Sequence, residues 1–278
     1  MRLCKLVPIA AALILTACQA PTIPTLYQEV EPPKMLRAGR GIDMATDSTN
    51  VAYQLKQGRV DFVARYYRNP DSRWPALSAS EAQRLSSQGL NIVAVWESHS
   101  RHPWYFSYAQ GYSDAIAAHW QARAAGQPPG TAIYFAVDFD ARNRSLDRVT
   151  EYFEGAAAGL VSAGGGIANY QIGVYGSGSV CDAIKRMGLA RYTWLSNSTG
   201  WTGSIGYQDW NIRQSGRWPE LSFNHDADEA IDNYGGFRVV GYDVANANPN
   251  ANRAGASPEL VAVRMPQNGP PPSAAMIR

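Results

Sequence analysis

The chain has 278 residues, 45% hydrophobic and 17% charged, with 25 Lys and Arg against 23 Asp and Glu. That length allows a sizeable buried core, and the apolar content excludes disorder along the whole chain. Arg2 and Lys5 are the only charges before residue 18; the 23 basic and 23 acidic residues that remain give no bulk attraction to nucleic acid or acidic lipid.

Arg2 and Lys5 form a basic start, followed by the uncharged stretch Leu6–Ala17. It is too short to span a bilayer and has the layout of a secretory signal. It ends in Leu15-Thr16-Ala17-Cys18, which resembles a bacterial lipobox and makes Cys18 the expected site of lipidation. Of the three cysteines, Cys4 departs with the signal and Cys18 is acylated. Only Cys181 is left, which forbids an intramolecular disulfide and predicts a buried, inert thiol. The expectation is an exported, membrane-anchored lipoprotein. Gln19, rather than Asp, after the modified Cys favours an outer membrane, facing the periplasm, in a Gram-negative cell; otherwise the cell surface is expected. Residues 18–35, with Pro21, Pro24, Pro32 and Pro33, read as a tether.

Five near-continuous apolar runs follow as strands, at Arg40–Asp43, Val60–Tyr67, Asn91–Glu97, Thr131–Asp140 and Gln171–Ser177. Runs of this kind suit parallel strands covered on both faces. Helical patterns lie between them: Ser78-x-x-Glu81 is a capping box opening a helix closed by Gly89. Tyr108–Ala125 stops at Gly126, Ser145–Ala163 stops at Gly164, and Ser179–Met187 continues the series. Beyond it, strands are expected at Arg191–Asn197, Tyr207–Gln214 and Leu221–Asp226. The spacers between them are too short for helical crossovers, so the connections are hairpin-like or irregular. This pattern predicts an α/β fold, a modified TIM barrel of (β/α)5β3 type over residues 36–245, in preference to an open doubly wound sheet. Residues 246–278, rich in Asn, Ala and Pro, read as a disordered tail.

Acids gather where the strands end. Asp43 closes the first strand, Glu97 the third, Asp138 and Asp140 the fourth, and Asp226 with Asp228 the eighth. In a barrel these ends share the rim that carries active sites. Asp138 and Asp140 are two apart and are expected on one side of their strand, with Tyr134 and Ala136. Carboxylates crowded in a cleft raise one another's pKa, the arrangement that serves glycoside hydrolysis. Helix capping and a divalent-metal site are the competing readings of the same acids.

Gly41-Ile-Asp43, Phe62-Val-Ala-Arg-Tyr-Tyr67, Thr131-Ala-Ile-Tyr-Phe-Ala-Val-Asp-Phe-Asp140, Gly173-Val-Tyr-Gly176 and Trp194-Leu-Ser-Asn-Ser-Thr-Gly-Trp201 together resemble the bacterial glycoside-hydrolase-like TIM-barrel domain family, a distant relative of Chalaropsis-type lysozymes. The resemblance runs from about Leu36 to Tyr242. It implies that Asp43, Asp138, Asp140 and Asp226 match the lysozymes' catalytic acids. Asp140 stands where those enzymes have the Glu that acts as general acid, one methylene shorter, and Glu97 is the second candidate for that role.

The eight Trp and 15 Tyr fit a sugar ligand, since sugars stack their apolar faces on aromatic rings. Tyr66, Tyr67, Trp96, Tyr134, Tyr175, Trp194, Trp201 and Trp210 lie on or near strand ends. Arg65 beside them is a candidate for a substrate carboxylate or for a barrel acid. His99-x-x-His102 beside Glu97 is set aside as a metal site, and Gly173-Val-Tyr-Gly-Ser-Gly178 as a dinucleotide loop. No metal or cofactor is expected. The expected activity is hydrolysis of a cell-envelope glycan, peptidoglycan first among them, by a monomer; the alternative is a lipoprotein that binds the wall without cleaving it.

Overall fold

The computed structural model of the chain describes residues 36–239. The expected signal segment 1–17, the expected acylation site Cys18, the expected tether 18–35 and the expected tail 246–278 lie outside them. Eight strands close a barrel in chain order: β1 (Gly39–Asp43), β2 (Phe62–Tyr67), β3 (Asn91–Trp96), β4 (Ala132–Ala136), β5 (Gln171–Gly176), β6 (Tyr192–Leu195), β7 (Ile212–Ser215) and β8 (Asp226–Ala230). Five helices, α1 (Ala52–Gln57), α2 (Ala79–Ser87), α3 (Tyr108–Ala125), α4 (Arg144–Ala163) and α5 (Gly178–Arg186), fill the first five connections. The predicted (β/α)5β3 barrel is therefore the fold. Short α1, with the 3-10 turn Thr49–Val51 before it, was not anticipated. Among the described residues no helix is long and apolar enough to cross a membrane.

Local chemistry accounts for most of the helices. The Ser78, Ser107 and Ser177 hydroxyls accept the first free backbone N–H groups of α2, α3 and α5, and Gly126 ends α3 in the left-handed region at φ 78°. The Ser78 box is only half made. The Glu81 carboxylate turns inward to Arg65 instead of back to its own helix start. Helices α3 and α4 touch through glycines: a Cβ on Gly111 would lie 1.9 Å from the Tyr152 carbonyl oxygen, and one on Gly155 2.0 Å from that of Tyr108.

The last two strands depart from the sequence expectation. Strand seven occupies only the end of the predicted Tyr207–Gln214, and strand eight begins where the predicted Leu221–Asp226 ends. Leu221 is buried because residues 216–225 cross the outside of the barrel. There the Trp218 indole donates to the Gly41 carbonyl at 2.8 Å, and Arg40 stacks over the Trp218 ring. The apolar signal at that place belongs to a covering loop. Strand β8 runs antiparallel to both β7 and β1, with Asp43 opposite Asp226 and Gly41 opposite Asp228.

Residue parity splits the core in two. Phe62, Val93, Val95, Tyr134, Tyr192 and Trp194 fill the lumen. Ile42, Val63, Tyr67, Ile92, Trp96 and Phe135 point the other way, into the layer beneath the helices. The lumen is plugged below its mouth, where the Tyr134 hydroxyl donates to the Tyr234 carbonyl at 2.8 Å.

Candidate active site

The open end of the lumen is a cavity of about 260 Å³ lined by Asp43, Glu97, Asp138 and Asp226, with Tyr66, Tyr175, Trp194, Arg101 and Gln214 between them. Asp43, Glu97 and Asp138 reach it from the C-terminal ends of parallel strands. Asp226 reaches the same rim from the start of an antiparallel one, not from the strand end that the sequence suggested.

Asp43 is buried at the floor of the mouth. The Tyr66 hydroxyl donates to one of its oxygens and the Gln214 amide to the other, each at 2.7 Å. Burial outweighs these bonds and, with the charges of Asp226 and Glu97, pushes its carboxyl up to about 7. Tyr175 donates to Gln214 at 3.1 Å, which holds the amide in place. Glu97 accepts from the Ser100 hydroxyl at 3.0 Å; burial, then the nearby Asp138 charge, raises it above the usual carboxylate range. Asp138 is bound by the Arg101 Nε at 2.6 Å. Partial burial raises Asp226 as well.

Below them lies Asp228, fully buried. One oxygen accepts from the Trp194 indole at 2.9 Å and the other has no hydrogen-bond partner. Burial, and after it the Asp43 charge, push it well above the ordinary carboxylate range. The sequence grouped Asp228 with Asp226 at the rim; antiparallel pairing sets it a layer deeper. Gln214 was missed, although its alternation with Ile212 on β7 marks it as facing the lumen.

Several expected site residues stand elsewhere. Asp140 does not line the mouth. Strand β4 stops at Ala136 and the chain turns after Asp138. The Asp140 carboxylate accepts from Arg142 Nε at 2.8 Å and from the Thr202 backbone N–H at 2.9 Å. Desolvation alone would raise it, but these bonds hold it below the usual range, the opposite of what a general acid needs. Arg65 is 0% exposed and paired through two nitrogens with Glu81 under α2, so it meets no substrate. Tyr67 donates to Gln127 in the outer layer, and Trp96 is buried there too. Tyr134 is in the lumen, beneath the cavity. Trp201 sits in the β6–β7 loop and does not line the mouth. Of the expected sugar contacts, Tyr175 and Trp194 do line it, packed edge to face at 5.2 Å. Cys181 is buried, which pushes its thiol up to about 12. Among the described residues, no three His, Cys, Asp or Glu are arranged to hold a metal ion.

The sequence profile of the Rv2525c-like, glycoside hydrolase-like domain matches residues 53–247, well over half of the chain. The chain belongs to this family. The family resemblance read from the strand-end motifs is thereby borne out. Among curated proteins, the chain is 33% identical over 176 residues to the uncharacterised protein FadG of Bacillus subtilis (strain 168), a match covering 62% of this chain and 30% of FadG. It is 36% identical over 123 residues to YbfG of the same organism, covering 43% of this chain and 17% of that one. The chain thus spans less than a third of either relative. Among solved structures, the Mycobacterium tuberculosis Tat-secreted protein Rv2525c, in complex with HEPES, superposes with a TM-score of 0.60 at 22% identity, covering 71% of this chain and 98% of the other. That likeness is one of fold. The protein is a glycoside hydrolase-like α/β barrel.

Proposed function

We propose that this barrel hydrolyses a glycan of the cell envelope, with peptidoglycan as substrate, using Glu97 as the general acid. The observation that carries the reading is the convergence of Asp43, Glu97, Asp138 and Asp226 on one cavity in which burial keeps Asp43 and Glu97 protonated further up the pH range than free carboxyls. Glu97 gives its proton to the glycosidic oxygen as the bond to the anomeric carbon breaks. Asp138 and Asp226 face the positive charge that develops on the sugar. Water then adds to that carbon and its proton returns to Glu97. Asp43, gripped by Tyr66 and Gln214, fixes the substrate at the floor of the mouth, while the Tyr175 ring, backed by buried Trp194, faces the sugar.

Wild-type protein incubated with purified sacculi is expected to release muropeptides with new reducing ends. Glu97→Gln should lower that rate by at least about 100-fold. Asp140→Asn should leave it within about threefold, because Asp140 stands outside the cavity. The position of Asp140 also favours a second reading, a cleft that keeps its glycan and has lost the chemistry. Wild-type protein that sediments with sacculi and releases nothing would establish that reading and overturn hydrolysis.

The basic start, the uncharged stretch and Cys18 support export and lipid anchoring of the domain, and the family relative Rv2525c is itself a secreted protein. Cys18→Ser should move the protein from the detergent phase to the aqueous phase on partitioning. A variant that stays with the membrane fraction would count against the anchor.

A further inference from the structure

Beside the mouth lies a second, larger hollow of about 470 Å³, which shares Tyr66, Glu97 and Arg101 with the first and so continues it sideways. Its walls come from the segments after β2 and β3, and their chemistry differs from that of the mouth. Arg68, Arg101, His99 and His102 supply nitrogen donors, against the acids Asp71 and Glu97, and Trp74 forms part of the lip. Arg101 is engaged with Asp138. Arg68 forms no salt bridge among the described residues: its buried Nε has no hydrogen-bond partner, and Glu97 acts on it only through its charge.

Arg68 is nevertheless held in place. Its guanidinium lies 4.2 Å above the Tyr66 ring, and its backbone is clamped by Gln121 of α3, whose amide accepts from the Arg68 N–H at 3.0 Å and donates to the Arg68 carbonyl at 2.7 Å. A half-buried cation with a preset orientation and no salt-bridge partner is suited to a planar anion, above all a carboxylate. The exposed face of Trp74 (41%) gives flat apolar surface at the edge, and beyond the lining residue His102 lies exposed Trp104 (64%), stacked on it. Sugars bind such surface through their C–H faces. The volume suits a sugar ring with a substituent.

We propose that this side hollow is a subsite for an acidic sugar, and that Arg68 binds the sugar's carboxylate. The proposal rests on the glycan reading of the mouth and names the class of glycan: one carrying carboxylates on its rings, as a lactyl ether or as a uronate. It also moves the carboxylate-binding role that the sequence suggested for Arg65 to Arg68, three residues on.

The test is binding of disaccharide probes to the full chain, followed by ligand-observed NMR. The probes are N-acetylglucosaminyl-N-acetylmuramic acid, a uronate-bearing disaccharide, and neutral chitobiose. At least one acidic probe should bind about tenfold more tightly than chitobiose, and which one does so identifies the source of the carboxylate. Arg68→Gln should reduce that preference to about twofold or less, with chitobiose binding unchanged. Because Arg68 packs on Tyr66, a second variant guards against misfolding. Ser72→Asp places a carboxylate on the hollow's wall and should weaken the acidic probe about fivefold without affecting the neutral one. Equal binding of acidic and neutral probes, or a preference that survives both substitutions, overturns the subsite and leaves the glycan reading standing. Failure of all three probes to bind overturns both.

Discussion

Burial decides which carboxylates in this protein are chemically unusual. Asp43, Glu97 and Asp228 are raised because the barrel removes them from water, whereas Asp140, with Arg142 and Thr202 as donors, is lowered. Chain proximity to the signature motif does not govern this; strand parity and strand length do. Adjacent residues on β2 cannot both face the lumen, so Tyr66 reaches Asp43 while Arg65 and Tyr67 are turned to the helices. Arg65 there completes a buried ion pair that Ser48 also joins, through its N–H and its hydroxyl, each 2.7 Å from Glu81. Removing one charge of such a pair strands the other in a medium that cannot solvate it. Glu81→Gln should therefore destabilise the fold by about 3–5 kcal/mol. Chemical denaturation will check this; a loss below 1 kcal/mol would show that the pair contributes little.

Between elements, helices α3 and α4 pack at close range through two glycines. Both helices are broad-faced and rich in alanine, and Gly111 and Gly155 let the backbone of each sit against the other. Alanine is the better helix former, yet a methyl group at Gly155 has no room and forces the helices apart. Gly155→Ala is expected to cost about 1–3 kcal/mol, overpacking outweighing the gain in helix propensity. A lowered urea midpoint with an unchanged slope is the expected result, and a raised midpoint would contradict the packing account. The position of these helices bears on function. Gln121 of α3 clamps Arg68 at the wall of the side hollow, so loosening α3 should weaken binding of acidic sugar before it unfolds the barrel.

The barrel as a whole holds its buried carboxyls protonated further up the pH range than the unfolded chain would. A carboxyl raised in the folded state binds its proton more tightly there than in the unfolded chain. Its stabilising contribution is full below the ordinary carboxylate range and is lost as pH rises through the folded value. For Asp43, raised from 3.8 to about 7, the change across that interval is on the order of 4 kcal/mol. The raised values of Glu97, Asp226 and Asp228 act in the same direction. Thermal stability should fall between about pH 4 and pH 7, and Asp43→Asn should flatten part of that fall. A melting temperature that climbs over this interval would refute the electrostatic account of the mouth.

The arrangement of five helix-covered parallel strands was legible along the chain because each strand is an apolar run closed by turn or capping residues, a local signal that needs no knowledge of partners. So was the gathering of Asp43, Glu97 and Asp138, because parallel strands bring their ends to one rim. Strand β8 was not legible: Asp226-Ala-Asp-Glu-Ala230 is acidic and short of β-branched residues, and it is a strand because β1 and β7 offer it backbone partners on both sides. The same pairing placed Asp226 at the rim and sank Asp228 beneath Asp43. The fates of Asp140 and Arg65 likewise depended on where a strand stops and on what packs behind it. Sequence pattern established the class of fold and the gathering of acids at one rim, because hydrophobic periodicity and residue type are local properties. Which carboxylates are raised and which lowered, and which arginine is locked in a buried pair, were settled by long-range packing, because burial and pairing are made by residues far apart in the chain.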